Sequence, residues 1–407
     1  MCHSMIEKNN FMAESRIGNR EIFMMLFLVI FIFQDALQKN IGLFQYLDEG
    51  LTAVLFALFL IKVVQTGKIE LGSIWILFWI FLMIFIGFMG NVIYNQQAKR
   101  AILLDITLCF KFAVVYISAA ALFENWDKTC LRLLGKRMVE IITFFLSMIA
   151  AADMLFHIFP TPDVRYGLLS HQLFFSHPTY YAACLIGLSV LYLLCIEQLQ
   201  KKNVVVLAIL SVLTLTSLRS KAIASIMVMW ILILIISFRK RIRIWFVAAS
   251  GIASFILARK QIFYYLIDND DFARSKLLAK GIEIAKEYCP IGAGFASYAT
   301  HASGVYYSDI YMRFHLNHVW GLEKKNFMFL SDCFWPAILG QFGFLGLIVF
   351  LVLLVFVFAY MLSKAKTELR RGVVYFSIAY LLILSIAESS FFNPNSVVLF
   401  FILAVFI

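Results

Sequence analysis

Long apolar runs separated by short polar stretches dominate this chain. The runs lie near Ile22–Leu37, Leu51–Val64, Gly72–Tyr94, Ala101–Phe123, Val139–Phe159, Thr179–Ile196, Val204–Ser217, Ala222–Phe238, Ile244–Tyr264, Phe334–Leu362, Val373–Glu388 and Ser396–Ile407. They are continuous, without the apolar/polar alternation of barrel strands. In lipid each segment must bond its own backbone polar groups, so such runs are helices. About twelve spans are expected, with tilting or a thin bilayer accommodating the short ones. The pattern breaks once, over residues 259–333, a segment rich in Tyr, His and Gly between the ninth and tenth spans. Inside it, Asp271–Tyr288 has helical spacing. A Pro/Gly turn (CPIGAGFASY, Cys289–Tyr298) and the aromatic stretch His301–Gly321 follow. Long connections in compact proteins are usually functional or disordered, and this one reads as a folded platform. The expectation is an all-α polytopic membrane bundle with one large extracytoplasmic loop containing short helices. With no repeat or boundary visible, residues 1–407 read as a single membrane domain.

Composition agrees with that class. Of 407 residues 62% are hydrophobic and 14% charged, with a mean hydropathy of +0.88. Soluble domains are about one quarter charged. Basic residues decide orientation. With the N-terminus inside, the inner loops hold 19 Lys and Arg and the short outer loops six, namely Lys39, Lys99, Arg100, Arg165, Arg219 and Lys221. Both termini are expected to be cytoplasmic. The net charge of +11 then records topology, and no nucleic-acid partner is implied. The polar first 20 residues and the lack of a cleavage site after the first run predict an uncleaved anchor. The seven cysteines form no CxxC or His/Cys cluster, so no metal site is expected. Cys289 and Cys333 bracket much of the long loop and are expected as two unpaired thiols.

In this orientation Asp35, Asp48, Glu49, Asp105, Asp153, His157, His177, Arg219, Lys221 and Glu388 fall at or near outer span ends. Ionisable groups in membranes face the bundle interior or a wet cavity, so a polar cavity opening outward is expected. Lys111, nearer mid-span, pairs with a carboxylate or snorkels. Asp153 and His157, at i and i+4, can touch, either as a carboxylate orienting a histidine or as a packing pair. The loop after the fifth span supplies Arg165, His171 and His177. The tight turn TLTSLRSK, Thr214–Lys221, presents Arg219 and Lys221 on the side where cations are disfavoured. Phosphate binding explains them, Arg as a planar fork and Lys as a point charge; a lipid headgroup is the other reading. Tyr298, Tyr306, Tyr307, Tyr311 and Trp320 suit sugar stacking or an interfacial aromatic belt. The acidic run Asp268, Asn269, Asp270, Asp271 is expected to cap the following helix. All six prolines lie at or beyond outer span ends, so no span is expected to break at mid-membrane.

These motifs together resemble the Wzy-type polysaccharide-polymerase family of bacterial surface glycan assembly, related to the O-antigen ligases. The resemblance covers most of the chain. It is carried by Asp48–Glu49, by Asp105 to Lys111, by FSHPTYYA at Phe175–Ala182, by LTSLRSKA at Leu215–Ala222, by PIGAGF at Pro290–Phe295, by YYSDIY at Tyr306–Tyr311 and by SDCFWPAILGQFGFLG at Ser331–Gly346. It implies a cofactor- and metal-independent glycosyltransferase in the bacterial plasma membrane, working on the outer face. Its substrate would be an undecaprenyl-pyrophosphate-linked oligosaccharide. Membrane lipids, a chain-length regulator and a flippase are the implied partners. Carried over, Arg219 grips pyrophosphate with help from Lys221. Arg165 and Arg274 match outer-loop arginines, and Tyr307, Tyr311 and His318 join the substrate site. Asp332 stands where the ligases carry a His-Asn pair, so Asp332, His318 or His177 would deprotonate the acceptor hydroxyl. A glycan ligase and a lipid-linked oligosaccharide flippase are the alternatives.

Overall fold

The computed structural model describes residues 18–161, 163–165, 167–239 and 272–407. The ninth expected span (Ile244–Tyr264), the acidic run at 268–271, Lys8, Arg16, Lys240, Arg241 and Arg243 lie outside them. The helices are α1 (Asn19–Ile32), α2 (Gln34–Gln38), α3 (Leu47–Thr66), α4 (Leu71–Tyr94), α5 (Lys99–Leu122), α6 (Lys128–Phe156), α7 (Pro178–Cys195), α8 (Lys201–Thr216), α9 (Ser220–Arg239), α10 (Ala273–Glu287), α11 (His301–Val305), α12 (Ile310–Arg313), α13 (Phe334–Lys364), α14 (Glu368–Ser385) and α15 (Pro394–Phe406). The strands are two-residue pieces, β1 (Val164–Arg165) paired antiparallel with β2 (Leu168–Leu169). The protein is thus an all-α membrane protein. Six described helices, α4, α5, α6, α7, α9 up to Phe238 and α13, are long and apolar enough to cross a bilayer. The other expected spans among the described residues also coincide with helices, which are shorter or less apolar.

Local chemistry sets several of the boundaries. Asp127 caps α6, accepting from Thr129 N at 2.9 Å and Cys130 N at 3.3 Å. α7 opens on Pro178, whose missing N–H costs nothing in a first turn. α3 closes on Gly67 in the left-handed region at φ 62°. α10 starts after Phe272, which makes no side-chain capping bond.

Where the sequence reads as one bundle, the helices sort into two compact units. The first holds residues 18–45, 125–217 and Phe406, with α1, α6, α7 and α8 packed on one another. Several of its polar groups are paired. Asp35 accepts from Ser176 Oγ at 2.6 Å, Ser176 N at 3.0 Å and Gln38 Nε2 at 3.0 Å. Tyr192 donates to Glu140 at 3.0 Å.

The second unit holds residues 46–124, 218–405 and Ile407, outside the undescribed stretch. α3 packs on α5, α4 and α10 pack on α13, and α9 packs on α14. α10 buries Leu277 and Ile284 completely, worth roughly 1.5–3 kcal/mol each. Gly281 lets its backbone approach Pro336, with a Cβ there only 3.2 Å from the Pro336 Cα. The long loop is therefore folded onto α13.

α13 is not one continuous helix. Gly343 takes φ 64° and ψ −165° inside it. The sequence, with its prolines confined to outer ends, gives no sign of this break. A loop docks there: Ala293 N donates to Gly340 O and Gly294 N to Gln341 O, both at 2.9 Å, and Leu345 N donates to Pro290 O at 3.1 Å. Irregular backbone is tolerable in such a protein only where other protein groups satisfy it. At Gly292 (φ 72°) a Cβ would collide with Gly343 N and with the Gln341 carbonyl at 2.6 Å. Gly292→Ala is expected to lower the thermal midpoint in detergent, by more than about 1 kcal/mol of stability from the backbone conformation alone. Gly187→Ala, where a Cβ meets nothing within 4 Å, serves as the neutral control. Equal midpoints for the two variants would contradict this reading of the joint.

Candidate functional site

Three polar clusters of the second unit bear on the candidate site. The first is the docked loop itself. Asn91, in α4, brackets Phe295, its Oδ1 accepting Phe295 N at 2.8 Å and its Nδ2 donating to Phe295 O at 3.0 Å. Asp105, in α5 and fully buried, accepts Ala296 N at 2.7 Å and Gln341 Nε2 at 2.8 Å, both on Oδ2. Gln341 Nε2 also reaches Thr300 Oγ1 at 3.1 Å. Thr300 in turn caps α11 in a reciprocal box with Ser303.

The second place is a buried ion cluster. Lys111 Nζ, with its side chain 1% exposed, contacts Asp48 Oδ2 and, at 3.0 Å, Glu49 Oε1. The mid-span lysine is thus paired and does not snorkel. His301 sits near this charge; burial first, and the Lys111 cation second, hold its imidazole below the usual histidine value.

The third place lies where α10, α13, α9 and α14 bring their ends together. Arg274 Nη2 donates to Asp332 Oδ2 at 2.8 Å. Lys221 Nζ binds the Glu388 carboxylate, and Ala387 O at 3.2 Å. Trp335 Nε1, at the start of α13, donates to Ser385 Oγ at the end of α14 at 3.0 Å, which brings the two pairs close enough for Arg274 to interact electrostatically with Glu388 and Cys333 with Lys221. Burial pushes Cys333 up to about 12, keeping it a thiol. Asp332 is about one third exposed, and its Oδ1 hydrogen-bonds no described residue. The cluster can hold an anion by its cations and accept a hydroxyl proton donor on that oxygen.

The sequence candidates are placed unequally. Asp332, Arg274 and Lys221 come together, and Glu388 completes the set as Lys221's partner. Arg219, 7% exposed, opens α9 two residues before Lys221. Arg165 and His177 belong to the first unit. Arg165 Nε lies 3.2 Å from Asp163, and exposed His177 caps α7 by accepting Thr179 N at 3.2 Å. His318 is exposed beside Asn317 and does not contact Asp332.

Three expectations are corrected. Tyr311 is fully buried and Tyr307 7% exposed. Tyr311 OH accepts Ala299 N at 2.7 Å, and Tyr307 OH donates to Leu322 O at 2.8 Å. They satisfy loop backbone from inside, and Tyr298, also fully buried, donates to Leu277 O of α10 at 2.8 Å, so these rings are no surface platform; Tyr306 and Trp320 remain exposed. Asp153 pairs with His171 Nδ1 at 2.9 Å and accepts Phe159 N at 2.8 Å, rather than meeting His157. His157 leaves the helix in the left-handed region at φ 50°, which turns its side chain off the helical face. The continuous tenth span is the third, broken at Gly343. Cys289 and Cys333 are free, the first exposed and the second buried.

Sequence reasoning missed Asn91 and Gln341. The available signal was a carboxamide inside an apolar run, costly unless bonded. Among the described residues, no group of three or more His, Cys, Asp or Glu could hold a metal ion. No protein-family model, curated protein or solved structure matches the chain.

The buried ion cluster has a direct stability consequence. Lys111→Met strands two carboxylates and is expected to cost about 3–5 kcal/mol. Adding Asp48→Asn removes one stranded charge and should recover part of that loss. Thermal unfolding of both variants in detergent reads the difference; a Lys111→Met protein as stable as wild type would show that the cluster holds nothing together.

Proposed function

We propose that this protein polymerises lipid-linked oligosaccharide repeat units into a surface polysaccharide. The carrying observation is the Arg274–Asp332 pair beside Lys221 and Glu388, where four helix ends meet. In this reading some twelve spans cross a bacterial plasma membrane with both termini cytoplasmic, and the cluster faces outward. A glycan on undecaprenyl pyrophosphate is the donor, and the end sugar of a second lipid-linked unit supplies the acceptor hydroxyl. Asp332 Oδ1 accepts the hydroxyl proton as the oxygen attacks the donor's anomeric carbon. The C–O bond to the pyrophosphate breaks, and Arg219, Lys221 and Arg274 stabilise the charge that develops on it. In the resemblance Arg165 and His318 assist substrate binding and His177 and His318 are the alternative bases; none of the three has an assigned step in this scheme. No cofactor enters this scheme.

The resemblance to Wzy-type polymerases supports the reading in another way. Two of the motifs that carry it, PIGAGF and GQFGF, lie against each other at the break in α13. The same break favours the main alternative. Discontinuous helices are a feature of transporters, and a flippase for the same lipid-linked units would use one. A glycan ligase, the nearer alternative, would differ in the acceptor alone.

The length ladder of surface glycan in cells carrying Asp332→Asn or Arg219→Ala separates these readings, with membrane expression checked alongside. Each variant is expected to reduce the ladder to a single repeat unit on its lipid, exposed outside. A full ladder in both would sink the assignment. Single units trapped on the inner face would point to the flippase.

A further inference from the structure

A polar cleft of about 390 Å3 lies in the second unit, between the α4–α5 turn and the loop following α11. It is distinct from the charge cluster at Asp332. Ligand sites of this size are usually lined by apolar side chains with a few polar groups. Here Ala98 is the only lining residue without a polar side chain. None of the lining residues is a cation, which disfavours phosphate or a lipid headgroup as occupant.

The lining groups are also largely unused. Asn95 ends α4 in the left-handed region at φ 48°, and its carboxamide bonds no described residue. Gln97 accepts Ala98 N on Oε1 at 3.3 Å, while its Nε2 is buried without a partner. Asp309, exposed before α12, makes no capping bond, and its carboxylate bonds no described residue. Tyr306 is 41% exposed with a hydroxyl that bonds no described residue, whereas Tyr307 has spent its hydroxyl on Leu322 O. Three carboxamides, one carboxylate and one exposed aromatic ring thus line one cleft with donors and acceptors to spare, Gln96 alone of the amides giving its Nε2 to a backbone carbonyl, Tyr94 O at 3.2 Å. A buried donor without a partner is costly unless a ligand or water satisfies it. Vicinal hydroxyls match paired amide and carboxylate groups, and the apolar face of a sugar ring matches tyrosine.

We infer that this cleft is a carbohydrate subsite that takes a neutral or amino sugar of the acceptor glycan. The inference rests on the polymerase reading for the identity of that glycan; the binding chemistry is local to the cleft. The test is binding of the purified full-length protein in detergent to an array of bacterial surface oligosaccharides, beside the Tyr306→Ala/Asp309→Ala double variant and Gln97→Leu. The first pair is exposed and should leave the thermal midpoint unchanged; Gln97→Leu probes the buried donor separately. Wild type is expected to retain hydroxyl-rich glycans, and each variant to bind them at least about tenfold more weakly, the loss of roughly one well-made hydrogen bond. No glycan retained by wild type, or equal binding by wild type and both variants, overturns the subsite. Glycan binding lost in the cleft variants, together with a full surface ladder in both Asp332→Asn and Arg219→Ala cells, would keep the subsite and remove the polymerase reading.

Discussion

The irregular segment from Pro290 to Thr300 needs a hydrogen-bond partner for its backbone groups inside an apolar protein, and three side chains supply much of that need. Asn91 brackets Phe295, Asp105 takes the Ala296 N–H, and Gln341 ties Asp105 to Thr300. An unmade bond here would cost roughly 1–3 kcal/mol. The break at Gly343 serves the same end, since it frees the Gly340 and Gln341 carbonyls to accept from Ala293 and Gly294. Because the loop is fixed at this joint, α10 lies along α13 and Arg274 meets Asp332 at the start of that helix.

The ion pairs divide into two kinds with different physical meaning. Lys111 and Asp48 are removed from solvent, so each demands the other. Arg274–Asp332 and Lys364–Glu70 are each about one third exposed, and pairs of that kind contribute about 0–1 kcal/mol. Stability therefore does not explain why Arg274, Asp332, Lys221 and Glu388 gather at one set of helix ends. On the proposed function, an anionic ligand with a hydroxyl-bearing partner would account for it, since the two cations stand beside a carboxylate oxygen that bonds no described residue. Within the second unit, Lys62 bonds Ala121 O and Lys364 bonds Glu70 at the opposite helix ends. This is the sorting that up-and-down helices require.

Much of the helix content was legible because apolar runs of spanning length have few other solutions. The α10 pattern was legible too, as the expected Asp271–Tyr288 became Ala273–Glu287. Asp332, Arg274 and Lys221 could be singled out individually, since charges beside apolar runs stand out, but their meeting depends on packing among four helices. The tyrosines misled because a Tyr in a polar loop reads the same whether its hydroxyl meets water or a loop carbonyl. Asp153 misled because the i, i+4 rule holds only while the helix continues, and α6 ends before His157. The division into two units left no mark, since both are built from equally apolar helices interleaved along the chain.

Reconstitution tests the central claim most directly. The purified protein would be placed in liposomes with undecaprenyl-pyrophosphate-linked repeat units, with no nucleotide sugar added, and products resolved by length. The polymerase reading requires a ladder of lengthening glycans and release of undecaprenyl pyrophosphate in step with each bond formed. Repeat units that cross the bilayer unchanged, with no lengthening and no pyrophosphate lipid released, would contradict it.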